Sequence, residues 1–257
     1  MARKKKPLPL FEKVEITDAG SEGKAIARVE NMVVFVPFVV PGDVVDIKVV
    51  RKKKNYLEGK ATAFHSYSPL RIEPRCEHFG LCGGCKWQNM SYDDQLKFKQ
   101  KQVSDNFTRI GKFEIPQINP IMGSDKQYFY RNKLEYTFSN RKWLVAEEFD
   151  VKPEQDMNGL GFHLPGMFDR IIDVSNCYLQ PEPSNSIRLA TRNYCLKHGF
   201  SFYDVKSQSG FMRNLIIRTA STGQVMVIVV VAQDRFGDLK NLMDHLIDQF
   251  TEITSLF

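Results

Sequence analysis

The stretch Val33-Val34-Phe35-Val36-Pro37-Phe38-Val39-Val40-Pro41-Gly42-Asp43-Val44 decides how the N-terminal part of this chain folds. β-Branched and aromatic residues run up to a Pro-Gly-Asp turn, which is the composition of a strand that ends in a tight turn. Comparable short apolar segments precede and follow it. We expect five strands, over residues 14–16, 25–29, 33–38, 44–50 and 56–65. Five short strands so closely spaced predict a small barrel of the oligonucleotide-binding type.

Positive charge is concentrated in the same part of the chain. Residues 1–75 hold 15 Lys and Arg against 9 Asp and Glu, whereas the rest holds 21 of each, so the net charge of +6 belongs to the N-terminal segment. A localised basic excess indicates a polyanionic partner such as RNA or DNA, although a solvated basic tail would give the same count. Between two predicted strands lie four cations that can follow a phosphate backbone: Arg51, Lys52, Lys53 and Lys54.

A second signal is the cysteine-rich loop Arg75-Cys76-Glu77-His78-Phe79-Gly80-Leu81-Cys82-Gly83-Gly84-Cys85. Its spacing is Cys-x5-Cys-x2-Cys, and its glycines let the backbone curl until several sulfurs point the same way. Such soft ligands select zinc or an iron–sulfur centre. A zinc site would be completed by Cys177 or His78. A cubane cluster would take four thiolates, which are Cys76, Cys82, Cys85 and Cys177. The spacing alone does not separate iron from zinc.

Composition bounds the class of protein. With 257 residues, 42% hydrophobic and 26% charged, the chain has an ordinary globular composition. It has no apolar run near the roughly 18 residues of a membrane span and no signal-peptide core, so we expect a cytoplasmic protein with no membrane partner. Thiols clustered in a reducing cytosol are metal ligands or redox groups rather than disulfides. P-loop, H-E-x-x-H and G-x-S-x-G motifs do not occur.

After the cysteine loop, Ser91 is placed to cap a helix. The helix carries an apolar stripe that we expect to face the core, made of Tyr92, Leu96, Val103, Phe107 and Ile110. Residues 128–138 then read as a strand, in which Leu134, Tyr136 and Phe138 alternate with polar residues as in a half-buried strand. Arg131 and Lys133 would share its wetter face, where cations among aromatic residues can bind RNA.

Further elements are predicted downstream. Two helices and a hairpin are expected, over residues 184–198, 238–250, 213–220 and 224–232. Cys195 lies inside the first of these helices and is expected to be a small core residue rather than a ligand. Residues 253–257 have the composition of the beginning of a strand.

With these features in place, the chain resembles the N-terminal part of the iron–sulfur-containing RNA uracil-5-methyltransferases of the RumA type, which act on 23S ribosomal RNA. The resemblance lies in four segments, 74–85, 130–133, 169–179 and 212–218 with Thr222-Gly223 after it. Gly20-x-x-Gly23-x-Ala25 is similar to the beginning of that family's TRAM barrel.

The resemblance implies a mixed α/β fold. Residues 1–66 would form the OB-like TRAM barrel with its basic tail, and residues 67–257 the iron–sulfur loop with an α+β central domain that shapes the RNA site. It further implies a 4Fe–4S cluster on the four thiolates named above, S-adenosylmethionine as methyl donor, ribosomal RNA as partner and a monomeric protein.

The family's Rossmann-like C-terminal methyltransferase domain carries a nucleophilic cysteine in a Ser-Cys-Asn-Pro-like motif, and no such tetrapeptide occurs here. We therefore expect that domain to be absent or truncated, no catalytic or S-adenosylmethionine-binding residue in the chain, and no methyl transfer by the chain alone. One alternative is a non-catalytic RNA-binding protein with a structural zinc or iron–sulfur site. A radical S-adenosylmethionine enzyme is the other, and its usual Cys-x3-Cys-x2-Cys spacing differs from the spacing found here.

Overall fold

The computed structural model describes residues 7–144 and 157–257. The chain divides into two compact units. We call the first the barrel unit; it comprises Met1–Gly80 and Cys85–Asp125. The second, the sheet unit, comprises Leu81–Gly84 and Lys126–Phe257.

A closed five-stranded barrel forms most of the barrel unit. Its strands are β1 (Leu10–Ala19), β2 (Lys24–Val29), β3 (Met32–Pro37), β4 (Val44–Lys52) and β5 (Tyr56–Ser66). The spatial order is β1-β2-β3-β5-β4, and β4 pairs with β1 to close the barrel. All neighbouring strands are antiparallel except β3 and β5. The five strands predicted from β-branched and aromatic composition are thus confirmed.

Alternating apolar side chains fill the barrel. Ile16, Val34 and Ile47 have no exposed surface. Gly59 in β5 is required by this packing, because a Cβ at that position would lie 2.3 Å from Cγ2 of Ile47 and 3.3 Å from Cγ1 of Val34. The small residue lets two strands approach where the interior is narrowest.

Helix α1 (Tyr92–Asp105) follows the cysteine loop. The Ser91 hydroxyl accepts a hydrogen bond from the amide of Asp94 at 3.2 Å, which confirms the predicted N-cap. A turn of π-helix, Asn106–Gly111, continues α1, and Lys112 ends it in the left-handed region with φ 57°.

The expectation that the whole apolar stripe of α1 faces the core is wrong. Val103, Phe107 and Ile110 are 45%, 43% and 77% exposed. The helix instead presents Phe98 to a small cluster around Val40 and Met90. The π-turn also shifts the phase of the side chains after Asp105, so a 3.6-residue period no longer describes them.

A six-stranded sheet organises the sheet unit, in the order β11-β10-β9-β6-β7-β8. Its elements are β6 (Lys133–Ser139), β7 (Gly159–His163), β8 (Ile171–Asp173), α2 (Ser184–Lys197), β9 (Met212–Thr219), β10 (Val225–Val231), α3 (Phe236–Gln249) and β11 (Ile253–Leu256). β11 runs parallel to β10, and the other pairs are antiparallel. Consequently β10, α3 and β11 form a β-α-β unit. The predicted hairpin, both helices and the last strand are confirmed.

Strand β6 is shorter than the predicted strand over 128–138. Leu134, Tyr136 and Phe138 are at most 4% exposed, which confirms the predicted alternation. Before Lys133, however, the backbone amides of Phe129 and Arg131 donate to the carbonyls of the segment 178–179 at 2.8 Å, outside any named strand. Among the described helices, none combines the length and apolar character that a membrane crossing requires.

Candidate nucleic-acid interface and cysteine sites

The predicted cationic loop lies at the tip of the β4–β5 hairpin. Arg51 and Lys52 end β4, Lys53 and Lys54 form the turn, and all four are exposed. The amide of Lys53 donates to the carbonyl of Tyr56 at 2.9 Å, which closes the turn. The guanidinium of Arg51 lies 3.9 Å from the carboxylate of Glu58, an exposed and weak ion pair. A fixed turn that carries exposed cations can follow a phosphate backbone.

Another pair of cations was not predicted. Lys48 of β4 lies directly opposite Lys60 of β5, and both are exposed. Like charges opposite each other in a sheet are destabilising, so a polyanion bound across them would relieve their repulsion. The alternating polar pattern of two neighbouring strands is the signal that could have found this pair, once their register is known.

The other two predicted RNA-binding residues lie together at the start of β6 in the sheet unit. Both Arg131 and Lys133 are exposed. The ammonium of Lys133 is 3.5 Å from the carboxylate of Glu135, and Lys133 lies opposite Arg218 in the register of β9. Because Glu135 partly neutralises Lys133, we expect these cations to attract a phosphate backbone less strongly than the hairpin tip does.

A buried carboxylate, also missed by the sequence analysis, holds the end of the barrel together. Asp43 has no exposed surface. Its two oxygens accept from the amide of Val40 at 2.7 Å and from the amide of Ser68 at 2.9 Å. Arg71 completes the set through Nη2 at 2.6 Å and Nε at 3.3 Å. The turn before β4 and the segment after β5 are thereby joined through one side chain.

Two of the predicted ligand cysteines, Cys76 and Cys85, belong to the barrel unit. Both are half-buried, and the amide of Cys76 donates to Oε1 of Gln88 at 3.2 Å. Burial, together with the nearby Cys85 thiolate, raises the pKa of the Cys76 thiol.

The other two, Cys82 and Cys177, belong to the sheet unit. In the loop around Cys82, the amide of Gly83 donates to the carbonyl of His163 at 3.2 Å. Only glycine fits there, because a Cβ would lie 2.8 Å from that same oxygen. The buried Cys177 is clamped by Asn185, which accepts from its amide at 2.8 Å and donates to its carbonyl at 3.1 Å.

Helix α2 extends this clamp along the segment before Cys177. Arg188, one turn after Asn185, is fully buried and donates to the carbonyls of Leu160 at 3.3 Å and Ser175 at 2.9 Å. One turn further, Arg192 pairs with Asp173 at 2.8 Å through Nε. Among the described residues, the buried Nε of Arg188 has no hydrogen-bond partner. The guanidinium lies 5.9 Å from the ring centroid of Tyr136, and the carboxylate of Asp173 is near enough to interact with its charge.

Within the described ranges, no three side chains of His, Cys, Asp or Glu are gathered as a metal ion would require. The ligand set of four cysteines is therefore still a prediction. Cys195 is a buried core residue, as predicted, and burial raises the pKa of its thiol to about 12.

Comparison with known proteins agrees with the barrel geometry. Residues 12–62 match the TRAM domain. They form a TRAM barrel. Two curated relatives are each described as an uncharacterized RNA methyltransferase. The protein of Bacteroides thetaiotaomicron is 54% identical over 92% of this chain and 53% of its own length, and that of Porphyromonas gingivalis is 46% identical over 95% and 54%. This chain thus spans about half the length of the curated relatives it matches.

A solved structure has the same fold over most of the chain. The tRNA (uracil-54, C5)-methyltransferase of Pyrococcus abyssi, in complex with S-adenosyl-L-homocysteine, superposes with a TM-score of 0.60 at 24% identity. The superposition covers 90% of this chain and 48% of that protein. At this identity the likeness concerns the fold alone.

These comparisons contradict two expectations of the sequence analysis. We expected the Rossmann-like methyltransferase domain to be absent or truncated, and the chain to be inactive by itself. The first is corrected by the fold that the chain shares with a solved methyltransferase structure over 90% of its length. The second is corrected by the similarity to curated RNA methyltransferases over 92% of the chain. The likeness to RNA methyltransferases itself is confirmed.

The Asp43 contacts generate a stability prediction. Asp43→Ala should lower the free energy of unfolding by about 3 kcal/mol, because it leaves two buried amides and a partly buried guanidinium without their acceptor. Urea unfolding followed by circular dichroism measures the loss. Glu58→Gln, which removes only the exposed partner of Arg51, is the matched control and should cost less than about 1 kcal/mol. Equal effects of the two changes would contradict the role given to Asp43.

Proposed function

We propose that the protein is an S-adenosylmethionine-dependent RNA uracil-C5 methyltransferase that binds RNA through its barrel unit. The observation that supports this most directly is the closed TRAM barrel, in which the tip of the β4–β5 hairpin carries consecutive exposed cations. The RNA methyltransferase relatives supply the reaction class. Ribosomal RNA is the proposed substrate, and a monomer in the cytoplasm is the proposed state.

The chemistry of the reaction explains why such an enzyme must bind RNA tightly. C5 of uracil becomes nucleophilic when a thiolate adds to C6, and a base removes the C5 proton after methyl transfer. The target base must first leave its stack, which costs a few kcal/mol that contacts to the surrounding RNA have to offset. In this proposal, the exposed cations at the hairpin tip and on β4 and β5 supply such contacts. No residue of the described chain is assigned the nucleophilic role.

Methyl transfer is the direct test of this proposal. The protein, incubated with S-adenosylmethionine labelled in its methyl group and with unmodified ribosomal RNA, should place label in 5-methyluridine at a single position. Nucleoside mass spectrometry identifies the product, and S-adenosylhomocysteine should suppress it. An unmodified tRNA transcript is the parallel substrate, and label in tRNA alone would replace ribosomal RNA as the substrate. RNA that binds but gains no methyl group would favour the non-catalytic RNA-binding alternative.

The hairpin tip predicts a specific salt dependence. For single-stranded RNA, each neutralised phosphate contributes about 0.7 to the slope of log affinity against log salt concentration. Lys53→Ala should therefore reduce that slope by about this amount, as measured by fluorescence anisotropy with labelled RNA at roughly 50 to 200 mM salt. Lys197→Ala, an exposed lysine at the end of α2, is the matched control and should leave the slope unchanged. A slope that Lys53→Ala does not alter would remove the hairpin tip from the interface.

We also propose a 4Fe–4S cluster with Cys76, Cys82, Cys85 and Cys177 as ligands. Four thiolates have the donor chemistry that such a cluster takes. The buried Arg188, whose Nε lacks a partner in the described structure, lies beside the segment that leads to Cys177 and suits an anionic group there. When bound, the cluster would act as a rigid cross-link, since methyl transfer needs no electron. The boundary after residue 66, between barrel and central domain, is proposed together with it.

Metal analysis after anaerobic purification tests the ligand set. We expect iron and sulfide with a visible absorption band, and their loss in Cys85→Ser and Cys177→Ser alike. Cys195→Ala is the matched control, because this buried thiol is outside the proposed set and should leave the iron content unchanged. Zinc without sulfide would replace the cluster with a zinc site. Iron retained in Cys177→Ser would remove Cys177 from the set.

A further inference from the structure

An exposed aromatic stack lies at the end of β5, the last strand of the barrel, where Phe64 belongs to the strand and Tyr67 follows it. The rings of Phe64 and Tyr67 are stacked with centroids 5.1 Å apart and planes 28° from parallel. The guanidinium carbon of Arg71 is 5.0 Å from the centroid of Phe64 and 5.4 Å from that of Tyr67. Despite these contacts, Phe64 is 38% and Tyr67 is 68% exposed. Most of the Tyr67 ring therefore faces solvent instead of a core.

Hydrogen bonds to buried groups fix the residues on which this stack rests. Arg71 is fixed by two hydrogen bonds to the fully buried Asp43. The segment between the rings and Arg71 is fixed as well, because the hydroxyl of Ser68 donates to the carbonyl of Pro41 at 2.6 Å and its carbonyl accepts from the amide of Arg71 at 3.1 Å. An exposed ring on a preorganised segment can bind a flat ligand with little further loss of conformational entropy.

The charges around the stack fit an anionic backbone. Lys60 lies opposite Lys48 and precedes Phe64 by four residues on β5, which corresponds to about 13 Å between their Cα atoms along the strand. The carboxylate of Asp46 is also in this region, but it accepts from the amide of Lys13 at 2.8 Å and lies 2.6 Å from Nε2 of His65. The local acid is thus already engaged, whereas both lysines are exposed.

We propose that Phe64, Tyr67 and Arg71 form a stacking site for an unpaired RNA base, with Lys48 and Lys60 on the adjoining phosphates. The inference rests on the proposed RNA-binding function and names the part of the RNA that this face of the barrel holds. Every base has a π-face that can extend an aromatic and guanidinium stack, so the site accepts single strands without selecting a sequence. A paired duplex offers no such free base face, and it is not the ligand.

Binding of two oligonucleotides of equal charge separates stacking from simple charge attraction. One is a single-stranded RNA 12-mer, and the other has the same backbone with abasic positions in its centre. Tyr67→Ala should weaken binding of the normal 12-mer by about 5- to 150-fold, the range for loss of one stacked base. It should leave the abasic 12-mer and the salt slope unchanged. Tyr67→Trp should restore the affinity, whereas Tyr67→Leu should not.

Phe236→Ala, which removes a 74% exposed ring from α3 of the sheet unit, is the matched control and should change neither affinity. Because Tyr67 is mostly exposed, its variants should keep the unfolding midpoint of the parent protein. If the protein binds the 12-mer but Tyr67→Ala binds it equally well, or loses both oligonucleotides equally, the stacking site is overturned and RNA binding stands. Failure of the parent protein to bind either oligonucleotide would overturn both.

Discussion

The structure at the end of the barrel depends on the hydrogen bonds that the buried carboxylate of Asp43 accepts. A charge without exposed surface is tolerable only when its oxygens are fully hydrogen-bonded, and here they receive two backbone amides and the forked guanidinium of Arg71. The same bonds fix the turn before β4 and the chain after β5. The position of the aromatic stack above Arg71 is therefore set by an electrostatic requirement of the interior.

In the sheet unit, backbone clamps have the corresponding role. Asn185 satisfies both the amide and the carbonyl of Cys177, and the next two turns of α2 bind the preceding segment through Arg188 and Arg192. The backbone that carries the Cys177 thiol is thereby fixed in position, which suits a ligand residue. Within the described part of the chain, no carboxylate is hydrogen-bonded to the buried Arg188, although Asp173 interacts with its charge. An anionic centre nearby would add to that compensation.

Local chemistry made much of the fold predictable. The barrel strands and the alternation of β6 follow from composition and a period of two, and the N-cap of α1 follows from Ser91. What the sequence could not disclose depends on contacts between distant residues. The predicted apolar stripe is exposed at Val103 in α1 and at Ile110 in the π-turn that follows it. The sequence likewise does not distinguish Asp43 from the other acidic residues until its burial is known. The same holds for the candidate site. The four consecutive cations can be recognised in the sequence, whereas the role proposed for Tyr67 follows only from its contact with Arg71 in the structure. The expected lack of catalysis rested on one missing tetrapeptide, a narrower basis than the whole-chain likeness that contradicts it.

Photochemical cross-linking tests most directly whether the barrel is the RNA-binding surface. A single-stranded RNA with 4-thiouridine at successive positions would be irradiated in complex with the protein, and the attached peptides mapped by mass spectrometry. The account predicts cross-links on the segment that contains Phe64 and Tyr67 and on the β4–β5 hairpin tip. Cross-links confined to residues 126–257, with none on the barrel, would contradict it.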